Sequence, residues 1–325
     1  MSSQNKFTVI STFSGCGGSS LGYKLAGGKV LLAVEMDDNA VGTYKLNFKD
    51  TPVYHGDIHN LTVEKVFEIT GLKPGELDIL DGSPPCQGFS TAGKREFCDP
   101  RNQLYKEYIR LLKGLQPKVF VMENVSGLVK GKMKLIFKDI LTELKKAGYN
   151  VKVRLMNAKY YNVPQSRQRL IFIGVRNDLN ITPSHPKPES KPIIVQQALK
   201  NVKLNNKEIN WAFQKAQSSN IYPIIKKMKQ WEDGSKYKQN TYFNLKRLSL
   251  SQPSRTITKT MGLIHPIENR YMTISELKRC GSYPDNFKFI GKFEEQWARI
   301  GNSVPPNFMK AIATHIYKNI LSEIP

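Results

Sequence analysis

Along the first 176 residues, short β-branched runs alternate with stretches whose apolar positions recur at helical spacing. The runs predict strands at 7–11, 30–35, 77–81, 119–123, 151–155 and 169–175. Helical patterning between them is clearest at 102–115 and 133–147. Strands alternating with helices predict a doubly wound, mostly parallel α/β sheet with helices on both faces, and such sheets bind ligands beyond the carboxyl ends of their strands. From 177 to 270 the texture changes: SHPKPESKP opens it like a linker, strands are hard to place, and aromatics are interleaved with lysine. Helical patterning returns after Tyr271, with Thr273 as N-cap of a helix over 274–278 and a longer apolar-periodic helix over 306–320.

Size and charge sharpen this picture. A chain of 325 residues has room for one large domain and a smaller one. With 40% hydrophobic and 10% aromatic residues it fits neither the disordered nor the low-complexity class. No apolar stretch is long enough to span a bilayer and the N-terminus lacks a signal-peptide layout, so a cytoplasmic location is expected. Lys and Arg number 49 against 27 Asp and Glu, a net charge of +22, and a polyanion is the natural partner. The excess is densest at 177–270, where 16 basic face 6 acidic residues. That segment is expected to meet nucleic acid, the alternative being a solvated lysine face. Four cysteines without a C-x-x-C pair favour neither disulfides nor structural zinc.

Candidate chemistry collects at the predicted strand ends. FSGCGG, residues 13–18, is a glycine turn between a strand and a helix, where backbone can approach a ligand, although it lacks the full G-x-G-x-x-G spacing. Glu35 ends the second strand, placed to hold ribose hydroxyls or simply to cap a helix. Asp57 in HGDI reads equally as an adenine contact or a cap. His55 and His59 have i, i+4 spacing but no third ligand pattern, so no metal is expected. In DGSPPCQGFS, residues 81–90, two prolines stiffen the chain before Cys86 and Gly88 loosens it afterwards, which presents one thiol as a nucleophile. Lys94, Arg95 and Arg101 follow; their charge can lower the thiol pKa or hold a phosphate. Cys98 lacks such a frame and reads as filler. Glu123, in FVMENV, faces the same crevice as acid, base or hydrogen-bond partner, or serves only as a cap or ion-pair partner. In PQSRQRLIFIGV, Arg167 and Arg169 are two apart, a spacing expected to aim both guanidinium groups to one side.

FSGCGG, GSPPCQGFS, ENV and QSRQR occur in this order, followed by the basic region and GNSVPPN at 301–307. The whole chain thereby resembles the DNA cytosine C5-methyltransferases of bacterial restriction-modification systems. The resemblance implies a Rossmann-like fold that binds S-adenosylmethionine and releases S-adenosylhomocysteine. Phe13, Gly15, Gly18, Glu35, Met36, Asp57, Ile58, Pro85, Leu104, Asn302 and Ser303 match the family's cofactor positions. It implies catalytic roles for Cys86, Glu123, Arg167 and Arg169, and DNA contacts from Gln87, Ser90, Lys94, Arg95, Arg255 and Thr256. Thr256-Ile257 resembles the dipeptide near the end of the target-recognition domain, implying a catalytic domain at 1–176, target recognition at 177–270 and a returning segment at 271–325. Met36 departs from the aromatic or other large residue common after the ribose glutamate, and CGSY at 280–283 from the usual middle of its motif.

The implied reaction is methyl transfer to C5 of a flipped cytosine in double-stranded DNA through a covalent Cys86 adduct. A monomer is expected, with a companion endonuclease as possible partner and neither metal nor membrane. The alternatives are an RNA cytosine methyltransferase and a catalytically silent DNA binder. A nicotinamide enzyme with a reactive thiol would explain neither the charge nor the paired arginines.

Overall fold

The computed structural model describes residues 5–85, 103–237 and 242–324. The chain divides into two compact units, one of residues 1–156, 168–187 and 309–325, the other of residues 157–167 and 188–308. The stretch 271–308 thus lies in the second unit, and only the chain beyond it joins the first.

The first unit is built on β1 (Phe7–Thr12), α1 (Gly18–Leu25), β2 (Gly28–Glu35), α2 (Asp38–Asn47), β3 (Val53–His55), α3 (Val63–Thr70), β4 (Ile79–Gly82), α4 (Leu104–Leu115), β5 (Val119–Val125), α5 (Lys134–Lys146), β6 (Tyr149–Asn157) and β7 (Gln168–Arg176). The strands form one sheet in the order β3-β2-β1-β4-β5-β7-β6. β1 pairs in parallel with both β2 and β4, and β4 with β5, whereas β7 runs antiparallel to β5. The expected doubly wound sheet is therefore present, and its order reverses between β1 and β4, the position beyond whose strand ends such sheets bind ligands.

Local chemistry sets these elements. The central strands read as near-continuous apolar runs because both faces are covered: every residue of β5 from Val119 to Asn124 is buried. α4 turns Tyr105, Tyr108, Ile109, Leu111, Leu112 and Leu115 into the core at helical spacing. α3 starts where the Thr62 hydroxyl accepts from the Lys65 N–H and stops at Gly71.

The second unit holds α6 (Val195–Ala198), α7 (Asn206–Gln217), α8 (Tyr222–Lys227), the two-residue strands β8 (Lys246–Arg247) and β9 (Leu263–Ile264), α9 (Ile274–Cys280) and α10 (Phe293–Asn302); α11 (Pro306–Asn319) runs on into residues of the first unit. As expected, Thr273 caps α9, closing a capping box with Glu276. With so little ladder, buried arginines supply the cross-links. Arg247 donates to the carbonyls of His265, Glu268 and Ile225 and to Asn269 Oδ1. Arg270 forks onto Glu276 with two contacts of 2.8 Å.

Candidate active site

The loop after β1 is held in a conformation its residue types do not prefer. Phe13 has φ 52°, a left-handed backbone that is rare for a bulky side chain, and Gly15 and Gly17 follow at φ 55° and 94°. At Gly17 even a Cβ would lie 2.3 Å from the Phe48 ring, so glycine alone fits. The loop is tied to the end of β2: Gly15 N–H donates to Glu35 Oε2 at 2.8 Å, and Glu35 Oε1 accepts from the N–H groups of Met36 and Asp37. Beside this carboxylate Met36 stands 64% exposed, an apolar side chain open to solvent. The Gly56 N–H bonds the Glu35 carbonyl, which brings the Asp57 turn to the same sheet end.

Of the two readings of Asp57, the structure displays the cap. Its carboxylate accepts from the His59 N–H and lies 2.7 Å from the His59 ring, while Ile58 is buried behind it. His55 pairs with Asp38, so each histidine of this turn has its own carboxylate. Pro85 follows β4 half-buried and Leu104 opens α4, packed on the core. Asn302 and Ser303 belong to the second unit, at the end of α10, where Ser303 Oγ accepts from the Tyr283 hydroxyl.

β5 and β7 build the second part. Val125 faces Arg169 across the antiparallel ladder, so Glu123, two residues along, shares that face. Arg169 Nε meets Glu123 Oε1 at 2.6 Å, with both side chains largely buried. A charged partner and low exposure fix the direction of this carboxyl group.

Arg167 does not share that direction. β7 begins at Gln168, so Arg167 precedes the strand and escapes its alternation. It is buried in the second unit, where Nη1 donates to the carbonyls of Ile257 and Gly301. Thr256 is likewise engaged, its hydroxyl donating to the Ser166 carbonyl at 2.7 Å. Arg255 lies with its guanidinium over the Trp231 ring.

Cys86, Gln87, Ser90, Lys94, Arg95, Cys98 and Arg101 lie outside the described residues. The other two cysteines are buried, and burial pushes the Cys280 thiol up to about 12, which leaves it inert at neutral pH.

Asp81 was not singled out in the sequence, although a carboxylate within the buried run ILDG was a signal. It is 1% exposed on β4, accepting from Ser11 Oγ at 2.9 Å and from the Tyr23 hydroxyl at 3.1 Å. Burial pushes its pKa up to about 7; those two hydrogen bonds pull the other way, and the Glu123 charge adds to the rise. It joins α1 and β1 to the strand that leads to Cys86. Asn124 on β5 adds a second tie, its Nδ2 donating to the Pro84 carbonyl at 3.5 Å.

Among the described residues no three His, Cys, Asp or Glu gather as a metal site, and no helix is long and apolar enough to cross a membrane.

Residues 7–318 match the sequence profile of the C-5 cytosine-specific DNA methylases. The chain is 35% identical over 329 residues to the type II methyltransferase M1.HphI of Haemophilus parahaemolyticus, covering 96% of this chain and 87% of that one. It is 32% identical to the type II methyltransferase M.NgoPII of Neisseria gonorrhoeae, covering 97% of each. A solved structure of a prophage-encoded Escherichia coli protein, described as a DNA modification methyltransferase, superposes with a TM-score of 0.78 at 27% identity, over 97% of this chain and 99% of that one. With motif order, sheet and profile in agreement over nearly its whole length, the chain belongs to the C-5 cytosine-specific DNA methylase family.

Proposed function

We propose that this enzyme methylates C5 of a cytosine within one short sequence of double-stranded DNA, with S-adenosylmethionine as donor. The observation that carries the reading is the Glu123–Arg169 pair at the carboxyl end of β5, beside the strand that leads to Cys86.

The residues at the ends of β1, β2 and β3 fit the donor's chemistry. The Glu35 carboxylate suits ribose hydroxyls, exposed Met36 and strained Phe13 offer apolar surface to a purine, and Asp57 with Ile58 suits its polar edge. Gly15, Gly18, Pro85 and Leu104 line the approach. Bound there, S-adenosylmethionine supplies an electrophilic methyl group on a sulfonium.

The target base is reached by flipping out of the duplex, at a cost of a few kcal/mol. Cys86 as thiolate forms a bond to C6, and the electrons of the C5–C6 double bond make C5 nucleophilic. Glu123 holds the N3 and N4 edge and favours the protonated ring while C5 takes up the methyl group. Arg169 orients Glu123 and offsets charge on the O2 side. Loss of the C5 proton and cleavage of the Cys86–C6 bond restore the double bond. Arg167, bonded to two carbonyls, acts by holding the segment around Ile257.

Residues 177–270 supply target recognition, with Arg255, Thr256, Gln87, Ser90, Lys94 and Arg95 as DNA contacts. The enzyme works as a cytoplasmic monomer, in the manner of modification enzymes accompanied by an endonuclease.

The test is incubation with S-adenosylmethionine and unmethylated plasmid DNA of varied sequence, followed by single-base mapping of 5-methylcytosine. Methylation confined to one recurring sequence is expected. Cys86→Ala should abolish transfer while DNA binding is retained; turnover by that variant would remove the thiol from the mechanism.

A further inference from the structure

The second unit carries an aromatic side chain that packing alone does not explain. Trp231 has φ 68°, the left-handed region in which a bulky residue is strained, and it is 39% exposed. A strained tryptophan that still turns over a third of its surface to solvent leaves apolar area free for a ligand.

Its mounting is rigid. The Trp231 N–H donates to the Arg247 carbonyl at 3.1 Å, and Arg247 is itself fixed by four acceptors. The Arg255 guanidinium lies 4.1 Å from the indole centroid and donates to the Trp231 carbonyl at 3.0 Å. One ring face is thus covered, and the exposure belongs to the rest of the indole. Asp233 lies 3.4 Å from Arg255 and 3.1 Å from Lys246, so this carboxylate holds two cations that a phosphate could compete for. Arg255 Nε is buried with no acceptor among the described residues, so the guanidinium is not fully satisfied where it sits. Lys226, Lys227 and Lys229 occupy the same segment, while Lys236 is paired with Glu232, a net basic setting for an exposed ring.

We infer that Trp231 and Arg255 form one preassembled contact on the target DNA, the indole packing on a sugar face or on a base unstacked when the target flips, and Arg255 bonding a backbone phosphate. The inference rests on the proposed action on duplex DNA and adds a named recognition element to it. A flexible side chain would lose rotamer freedom on binding, whereas the strained turn and the stacked guanidinium have fixed this ring in advance. Aromatic stacking also tolerates sequence, so the pair contributes affinity more than base choice.

The experiment compares binding of wild type, Trp231→Gly, Trp231→Asn and Trp231→Phe to a labelled duplex containing the methylated sequence, by fluorescence anisotropy at fixed salt, with melting temperature measured in parallel. Glycine and asparagine both accept the left-handed backbone, so relief of strain offsets part of the packing lost with the indole, and both variants should remain folded at the assay temperature. Their affinity should fall about ten- to hundredfold, while Trp231→Phe keeps most of it. Arg255→Gln should reduce the slope of log affinity against log salt by about one. If the glycine and asparagine variants bind within twofold of wild type and methylate with unchanged DNA KM, the inference fails although the enzyme's activity stands. Wild type that neither binds nor methylates duplex DNA would instead overturn the functional reading beneath it.

Discussion

The two units fix their polar side chains by different means. In the first, strand register does the work: Glu123 and Arg169 meet because an antiparallel ladder puts both on one face, and Asp81 meets Ser11 because β1 and β4 pair residue for residue. In the second, where the only ladder among the described residues is two residues long, arginines reach across loops to carbonyl oxygens. Register is inexpensive and places a group to within a fraction of an ångström. Arginine cross-links immobilise irregular chain, but each commits a charge to the interior, where its loss is severe. Arg247 and Arg270, two of the 16 basic residues at 177–270, are therefore structural, and the charge left for a polyanion is smaller than the count suggests.

This contrast can be broken at its strongest point. Glu123→Gln keeps the ladder but removes the carboxylate that pairs with Arg169, so kcat should fall by about 10²–10⁴-fold, with a stability loss of a few kcal/mol at most in urea unfolding from the unpaired guanidinium. A loss under tenfold would mean that register positions a group the chemistry does not need. In the second unit the balance is reversed. Arg247→Ala strands its acceptors in the interior and should cost about 3–5 kcal/mol in urea unfolding. Arg247→Lys should recover little, because a single ammonium cannot reproduce the planar fork. Full recovery by lysine would show that charge alone matters there.

The smallest effect sharpens the first unit. With its pKa raised to about 7, Asp81 binds a proton more readily folded than unfolded. Its stabilising contribution is complete below the ordinary carboxylate pKa near ~3.9 and is lost as pH rises through about 7. Asp81→Asn removes that dependence. Between pH 5.5 and 8 the wild type should lose a few degrees of melting temperature relative to the variant, corresponding to at most a few kcal/mol. Parallel pH profiles would show that Asp81 is ionised throughout.

How far the sequence discloses all this follows the same division. The strands of the first unit are legible because apolar runs and helical periods are local signals, and the Thr273 cap is legible for the same reason. Glu35 and Asp57 are legible as polar side chains at the ends of strands, where the structure also has them, whereas Met36 enters only through the family resemblance. Arg167 and Arg169 look equivalent in QSRQR, yet the strand begins between them, and one residue of offset gives them different partners. The arginine cross-links of the second unit have no period: Arg167 to Gly301 and Arg247 to Ile225 are set by tertiary geometry alone. Asp81 shows as a polar residue in an apolar strand, but its hydroxyl partners, Ser11 and Tyr23, are supplied by elements distant in sequence.

The division of the first unit across the chain has a consequence during synthesis. Residues 309–325 pack with the opening of the chain, Tyr317 against the Phe7 ring at 5.8 Å, and Met309, Ile312, Ala313, Ile316 and Ile320 are fully buried. On the ribosome, residues 188–308 emerge before that helix, an interval of roughly 6–25 s at ~5–20 residues per second. Throughout it the nascent sheet displays the apolar surface that the last helix will cover. A pause late in translation would prolong that exposure, making the yield of active enzyme sensitive to elongation rate and chaperone supply as well as to the finished fold's stability.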